Sequence, residues 1–176
     1  MPYKADEVKM KPLAIILVIL VLAAVIGVGY LYFTANVEVT FSEVIATDPL
    51  SQSDYFNSLK SSLESGTFIG TRYDTAPLGD PDSYLFYTWT VHLENKSLLP
   101  VDTIEIQVTP MTGDVLAIGD TAEHKLPGQS LASPGQSSAD LSVTVLTSRT
   151  MHSVREATVT WYVWGLPFSA RLTLGK

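Results

Sequence analysis

The segment Leu85-Phe86-Tyr87-Thr88-Trp89-Thr90-Val91-His92-Leu93-Glu94 decides the fold class. Large apolar side chains at Tyr87, Trp89, Val91 and Leu93 alternate with polar ones at Thr88, Thr90, His92 and Glu94. Successive side chains of a β-strand point to opposite faces, so a period of two predicts a strand with one dry and one wet face. The same alternation recurs along the chain. Val37, Val39 and Phe41 alternate with Glu38, Thr40 and Ser42, and Ile104, Ile106 and Val108 with Glu105 and Gln107. Leu141, Val143 and Val145 take one face of 139–146, and Val159, Trp161 and Val163 one face of 157–164. Phe168, Ala170, Leu172 and Leu174 form the inward set of the last strand. A short apolar run at 115–118 and a strand-like T-F-I-G-T-R-Y at 67–73 bring the total to seven or eight strands.

Turn chemistry separates these runs. Asp48-Pro49 ends the first, 75–82 is rich in Pro, Gly and Asp, and Asn95-Lys96-Ser97 reads as a turn. Pro110 stops the strand before it, 126–136 carries Pro127, Gly128, Pro134 and Gly135, and Gly165-Leu166-Pro167 reads as a tight connection. One soluble helix is expected over 51–64. Ser51 or Ser53 is placed to cap it, Tyr55, Leu59 and Leu63 recur at helical spacing with Phe56 beside them, and Gly66 is placed to end it. A parallel sheet needs a helix after most strands, and those are missing. Two antiparallel sheets packed face to face, with one short inserted helix, are the economical solution.

Leu13 to Phe33 runs twenty-one residues without a charged side chain. As a helix it rises about 31 Å at ~1.5 Å per residue, against a hydrocarbon core of ~30 Å. Lys4, Lys9 and Lys11 precede it, and the first charge after it is Glu38. That asymmetry predicts a cytoplasmic N-terminus and an extracytoplasmic C-terminal domain. Pro12 suits the first turn of a helix. Tyr30, Tyr32 and Phe33 fit the aromatic belt at the far interface. A cleaved signal peptide is the competing reading, but the apolar core is longer than such peptides carry and large aromatics follow its best cleavage point, Gly27-Val28-Gly29. The expected organisation is therefore a cytoplasmic tail (1–12), a transmembrane helix (13–33) and one extracytoplasmic domain (36–176), with the lipid bilayer as the partner of residues 13–33.

From residue 34 onward sixteen Asp and Glu face eight Lys and Arg. Phosphate neutralisation needs a basic face, so nucleic acid is not an expected partner. The charge excess also favours a domain that stands off an anionic bilayer. With no cysteine in the chain there is no disulfide framework and no thiol nucleophile.

Thr90–Val108, T-V-H-L-E-N-K-S-L-L-P-V-D-T-I-E-I-Q-V, ends a strand in a polar Asn turn and opens the next with a Pro-Val step. Leu126-Pro127-Gly128-Gln129, the strand Leu141–Leu146, and V-T-W-Y-V-W-G-L-P-F at 159–168 follow in order. Together this resembles the immunoglobulin-like sandwich of the late-embryogenesis-abundant type 2 domains and the related bacterial FxLYD-type domains, over residues 84–174. No F-x-L-Y-D string stands in the chain, and the helix at 51–64 departs from the family pattern. The resemblance implies a mainly β, immunoglobulin-like antiparallel sandwich acting as an accessory or binding module. It supplies no catalytic residues.

Chemistry-bearing motifs are sparse. His92, His124 and His152 sit in no zinc spacing, and no G-x-S-x-G elbow occurs, so no enzyme, metal or cofactor is expected. Asp74, Asp80 and Asp82 share a loop but lack the calcium-loop order, and Asp is at home in turns. Asn95-Lys96-Ser97 is an N-glycosylation sequon. Tyr162 and Trp164 are the candidate contact residues. If Trp161 points inward, both neighbours point to the opposite face and offer a surface to a partner protein, a sugar or an apolar ligand. Alternatively, the helix or a loop folds over them. The expected function is a binding or accessory module, as a scaffold or partner-interaction subunit of the cell envelope. A surface module for polysaccharide or a small apolar molecule is the alternative.

Overall fold

The computed structural model describes residues 6–119, 126 and 137–175. Its element order is α1 (Asp6–Phe33), β1 (Val37–Thr47), α2 (Ser53–Ser65), β2 (Thr71–Arg72), β3 (Tyr84–Asn95), β4 (Ile104–Val108), β5 (Asp114–Gly119), β6 (Ser138–Ser148), β7 (Arg155–Val163) and β8 (Leu166–Leu174). Short 3₁₀ turns at Pro49–Gln52 and Pro81–Ser83 precede α2 and β3.

The strands form two antiparallel sheets, one ordered β1-β3-β6-β5-β2 and the other β4-β7-β8. Between them lies a core built from the in-phase residues of the alternating runs. Trp89, Val91 and Leu93 of β3 and Leu141, Val143 and Val145 of β6 meet Ile104, Val108, Val159, Trp161 and Val163 of the smaller sheet. Trp89 is the largest fully buried side chain, and its Nε1–H donates to the Ser153 carbonyl at 3.0 Å. The chain is therefore a mainly β antiparallel sandwich behind a single N-terminal helix.

Helix α2 lies on the outer face of the five-stranded sheet. There Phe56 and Leu59 bury against Phe86 of β3, Val115 and Leu116 of β5, Leu146 of β6 and Leu78. Gly66 ends the helix in the left-handed region, at φ 71°, and returns its N–H to the Ser62 carbonyl. The start differs from expectation. Asp48 caps the preceding 3₁₀ turn by accepting from Leu50 N at 3.0 Å, and α2 begins at Ser53 behind Gln52, with no side-chain cap bond. The 3₁₀ turn runs directly into α2, so the cap lies at its start, and the Ser51 hydroxyl is engaged in donating to the Asp48 carbonyl at 2.6 Å.

Other differences are local. Residues 67–73 keep only Thr71–Arg72 as strand, paired with Ala117 and Leu116 of β5; beyond it the Tyr73 and Asp74 amides both converge on the Val115 carbonyl and end the ladder. β1 slips register between Phe41 and Glu43, so its inward set passes from Val39 and Phe41 to Val44. Helix α1 starts at Asp6 and carries Pro12 inside it. The loop expected at 126–136 lies outside the described residues except for Leu126, which is buried and bridges Val101.

Helix α1 meets the sandwich at one end. Its last turn closes through Thr34 N–H to the Tyr30 carbonyl and Ala35 N–H to the Tyr32 carbonyl. Asn36 then accepts from Lys96 N at 2.9 Å. Leu31 and Ala35 pack against the core, and the Tyr32 and Phe168 rings lie 5.2 Å apart. The connection from helix to β1 is therefore tied down rather than free.

Candidate functional site

The helix-proximal end is built from three pieces of chain. These are the helix exit, the β3–β4 turn and the β7–β8 hairpin. Val37 pairs with Asn95, so the start of β1 and the end of β3 share a level. Asp102 N–H donates to the Tyr162 carbonyl and Tyr162 N–H to the Thr103 carbonyl, which brings the approach to β4 beside the hairpin.

A buried polar network holds the β3–β4 turn. Asn95 is fully buried; its Nδ2 donates to the Leu99 carbonyl at 2.8 Å, and its Oδ1 accepts from the Ser97 amide and hydroxyl. The Ser137 hydroxyl donates to the Asn95 carbonyl at 3.0 Å. This locks Leu99 inward and leaves Leu98 62% exposed. The sequon nitrogen is thus a structural donor inside the fold. Beside it, Lys96 bridges Glu94 and Glu38. The Glu94 hydrogen bond first, then Glu38, hold the Lys96 ammonium above its ordinary pKa against a partial loss of solvent.

The hairpin corrects the expected placement of the two candidate aromatics. Trp161 does point inward and stacks on Phe168, with its Nε1–H buried and without an acceptor. Tyr162 is half-buried on the outer face, paired with Pro167. Trp164 is not on that face. Val163 pairs directly with Leu166, which leaves Trp164 and Gly165 as a two-residue turn with φ 52° and 76°. Positive φ at both positions is what a type I′ hairpin turn demands, and Asn-Gly usually supplies it. The turn is one residue earlier than the Gly-Leu-Pro reading places it. Trp164 and Leu166 are each 49% exposed at the tip. Helix α2 does not cover either aromatic, because it is seated on the outer face of the other sheet.

The opposite end holds a buried ion pair. Asp114 and Arg155 have no exposed side-chain surface, and Arg155 donates to both carboxylate oxygens, from Nη2 at 2.6 Å and from Nε at 2.9 Å. Its Nη1 donates to the His152 and Val154 carbonyls, while Asp114 also accepts from Met111 N. A shallow cleft of about 380 Å³ beside the pair is lined by Thr109, Met111, His152 and Glu156 among others. The guanidinium is thus committed to cross-linking the 111–114 turn to the start of β7. Nearby Tyr73 has its phenol pKa raised by burial and then by the Asp114 charge. Sequence reasoning passed over Asp114 and Arg155, and read Asn95 only as a turn residue and sequon. The signal was phase: Arg155 is in step with Ala157, Val159 and Trp161, and Asn95 with Trp89, Val91 and Leu93. A polar residue in step with a dry face must find buried partners.

The remaining candidates are accounted for locally. His92 Nδ1 lies 2.6 Å from Asp140 across β3 and β6 on the wet face. Asp74 accepts from Ala76 N within its own turn, and Asp82 lies beside the Ser83 hydroxyl. Among the described residues no three His, Asp or Glu side chains gather in a group that could hold a metal ion. His124 lies outside the described residues. Helix α1 is long and apolar enough over Pro12–Phe33 to cross a membrane, and the rest of the chain covers it only at its last turn, through Leu31 and Tyr32. The chain matches no protein-family model and no curated protein.

Proposed function

We propose that the chain is a single-pass membrane protein with its N-terminus in the cytoplasm and its sandwich outside. There the sandwich acts as a binding or accessory module, a scaffold or partner-interaction subunit of the envelope. One observation carries this reading. The apolar helix surface of Pro12–Phe33 is left uncovered by the chain except in its last turn, where Leu31 and Tyr32 meet the sandwich, and water solvates such a surface poorly whereas lipid solvates it well. The lysines before the span and their absence directly after it support the orientation. The module reading is supported by how the polar groups are used: Asp114, Arg155, Asn95 and Ser97 hold turns in place. A fixed module presented close to the membrane is suited to contact, not turnover.

The test has two steps. Carbonate washing of membranes should leave the chain in the pellet, and protease added to intact cells should remove the sandwich. Crosslinking in those membranes, followed by purification, should then give one reproducible membrane-protein partner. Release by carbonate refutes the anchor, survival of the sandwich refutes the orientation, and a monomer with no crosslinked partner refutes the accessory role.

A further inference from the structure

We propose that the helix-proximal end of the sandwich is itself a membrane-contact surface. In this proposal Leu98, Trp164 and Leu166 insert at the boundary between headgroups and acyl chains. The inference rests on the reading of Pro12–Phe33 as a membrane span.

Position is the first argument. Tyr32 belongs to the last turn of the apolar span, and its ring touches Phe168 of β8. Whatever depth Tyr32 has in a bilayer, Phe168 is beside it. β8 begins at this end, and from Phe168 back to Leu166 the chain moves away from the sandwich centre by about 7 Å, at ~3.3 Å per residue. The hairpin tip therefore reaches to the span or past it toward the lipid. The bond from Lys96 N to the Asn36 carbonyl and the packing of Leu31 and Ala35 on the core fix this relation.

Composition is the second. Trp and Leu held out at a protein's end are poorly placed for water but well placed at an interface, where an indole sets its apolar body in lipid and its N–H toward the wet side. Tyr30 and Phe33, exposed on the last turn of α1, continue the same belt. These exposures are enforced. The Asn95–Ser97 network holds Leu98 out while Leu99 goes in, and the strand register fixes Trp164 in the turn.

Conformation is the third. Trp164 is the one non-glycine residue with positive φ among the described residues. A bulky side chain is disfavoured there, and such positions concentrate where a side chain has work to do. Gly or Asn would fit that backbone better, but neither would enter lipid.

The surrounding charge sets the lipid class. Glu38, Glu94, Asp102 and Asp140 outnumber Lys96 at this end, so contact with a zwitterionic surface is favoured over contact with an anionic one. A partner protein on the same residues is the competing occupant, and the test separates the two.

Because the chain has no cysteine, single cysteines can be introduced and labelled with an environment-sensitive fluorophore in the full chain. Four variants suffice: Leu22→Cys in the span, Leu98→Cys and Leu166→Cys at the proximal end, and Thr150→Cys at the far end. Each is reconstituted alone into phosphatidylcholine vesicles carrying a nitroxide at the shallow end of the acyl chain or at the bilayer centre. Either orientation of insertion sets the proximal end against a leaflet. The proposal expects labels at 98 and 166 to shift to the blue and lose emission to the shallow nitroxide. The label at 22 should lose emission to the deep one, and that at 150 to neither. Quenching at 22 with labels at 98 and 166 behaving like 150 overturns the contact while leaving the span intact. Equal quenching at 98, 150 and 166 overturns it as well. Failure of quenching at 22 refutes the span, and with it this inference.

Discussion

Replacing Asp114 by Asn should be among the most damaging isosteric changes available to this chain. The side chain keeps its shape but loses its charge, and Arg155 is left cationic with no exposed surface. Asp114 accepts three hydrogen bonds, two from Arg155 and one from Met111 N. An amide offers one acceptor atom, so at least one buried donor loses its partner. Removing one member of a buried ion pair typically costs about 3–5 kcal/mol, most of it for the charge left behind. Against a total stability of roughly 5–15 kcal/mol this is a large fraction. With an m-value of about 2 kcal/mol per molar urea, the midpoint should fall by about 2 M. Urea unfolding of the full chain in micelles, followed through the buried Trp89 and Trp161, measures it. The double variant Asp114→Leu, Arg155→Met should recover most of the loss, because neither charge then remains to be compensated. A loss below about 1 kcal/mol for Asp114→Asn, or a double variant no better than the sum of the singles, refutes the reading of this pair as a structural cross-link.

Three further outcomes are expected. Trp164→Asn should raise thermal stability by a few degrees, since the left-handed backbone costs a bulky residue about 1–2 kcal/mol and Asn tolerates it better; a lower melting temperature shows that Trp164 is held by packing instead. The Leu50 amide first, then Arg149, hold the Asp48 carboxyl below its ordinary 3.8, so the stability it contributes is complete above that value and lost as pH falls through the lowered one. Amide exchange at 49–52 should therefore quicken only below about pH 4, a dependence that Asp48→Asn removes and that its persistence in this variant would discredit. Asn95 should carry no glycan when the chain is made in glycosylating cells, as its Nδ2 is buried on the Leu99 carbonyl; Asn95→Ala should destabilise by about 1–3 kcal/mol, and an endoglycosidase-sensitive mass would refute the packing.

Much of the sandwich was legible because burial on one face imposes a period of two whatever the partner strand is. Trp89, Val91 and Leu93 could be assigned to the dry face without knowing that β1 and β6 flank them. What resisted reading depends on register and on distant partners. The slip in β1 at Ser42 shows in the sequence only as Glu43 falling where the phase of Val39 and Phe41 would put an apolar residue, and one charged position does not fix a register. Asp114 and Arg155 lie forty-one residues apart, and no spacing rule connects them. The placement of Trp164 failed for a sharper reason. Turn propensity assigns a left-handed pair to Asn or Gly, so a Trp before Gly165 was read as the end of a strand. The seat of α2 was likewise undetermined: its apolar stripe requires a dry surface, but only the topology says which sheet offers one.

The acidic excess of the sandwich and the proposed lipid contact of its proximal end pull in opposite directions, and their magnitudes decide between them. A charge near an anionic surface is worth about 1 kcal/mol, and the effect fades within a Debye length of ~8 Å at physiological salt. Much of the excess sits on α2 and the 74–82 loop, beside the end remote from α1. Fully burying a large apolar side chain gains about 1.5–3 kcal/mol, and Leu98, Trp164 and Leu166 are each about half exposed, so the three together offer a few kcal/mol. A free protein would forfeit that gain in lost translational freedom on binding. Here the helix has already placed the domain: Thr34 and Ala35 are hydrogen-bonded to the helix end and Asn36 to Lys96 of the domain, so contact with the surface is an intramolecular step. On those terms three modest side chains are enough to set the tilt of the whole sandwich. The face it then turns toward a neighbour is fixed by the β7–β8 hairpin as much as by the span.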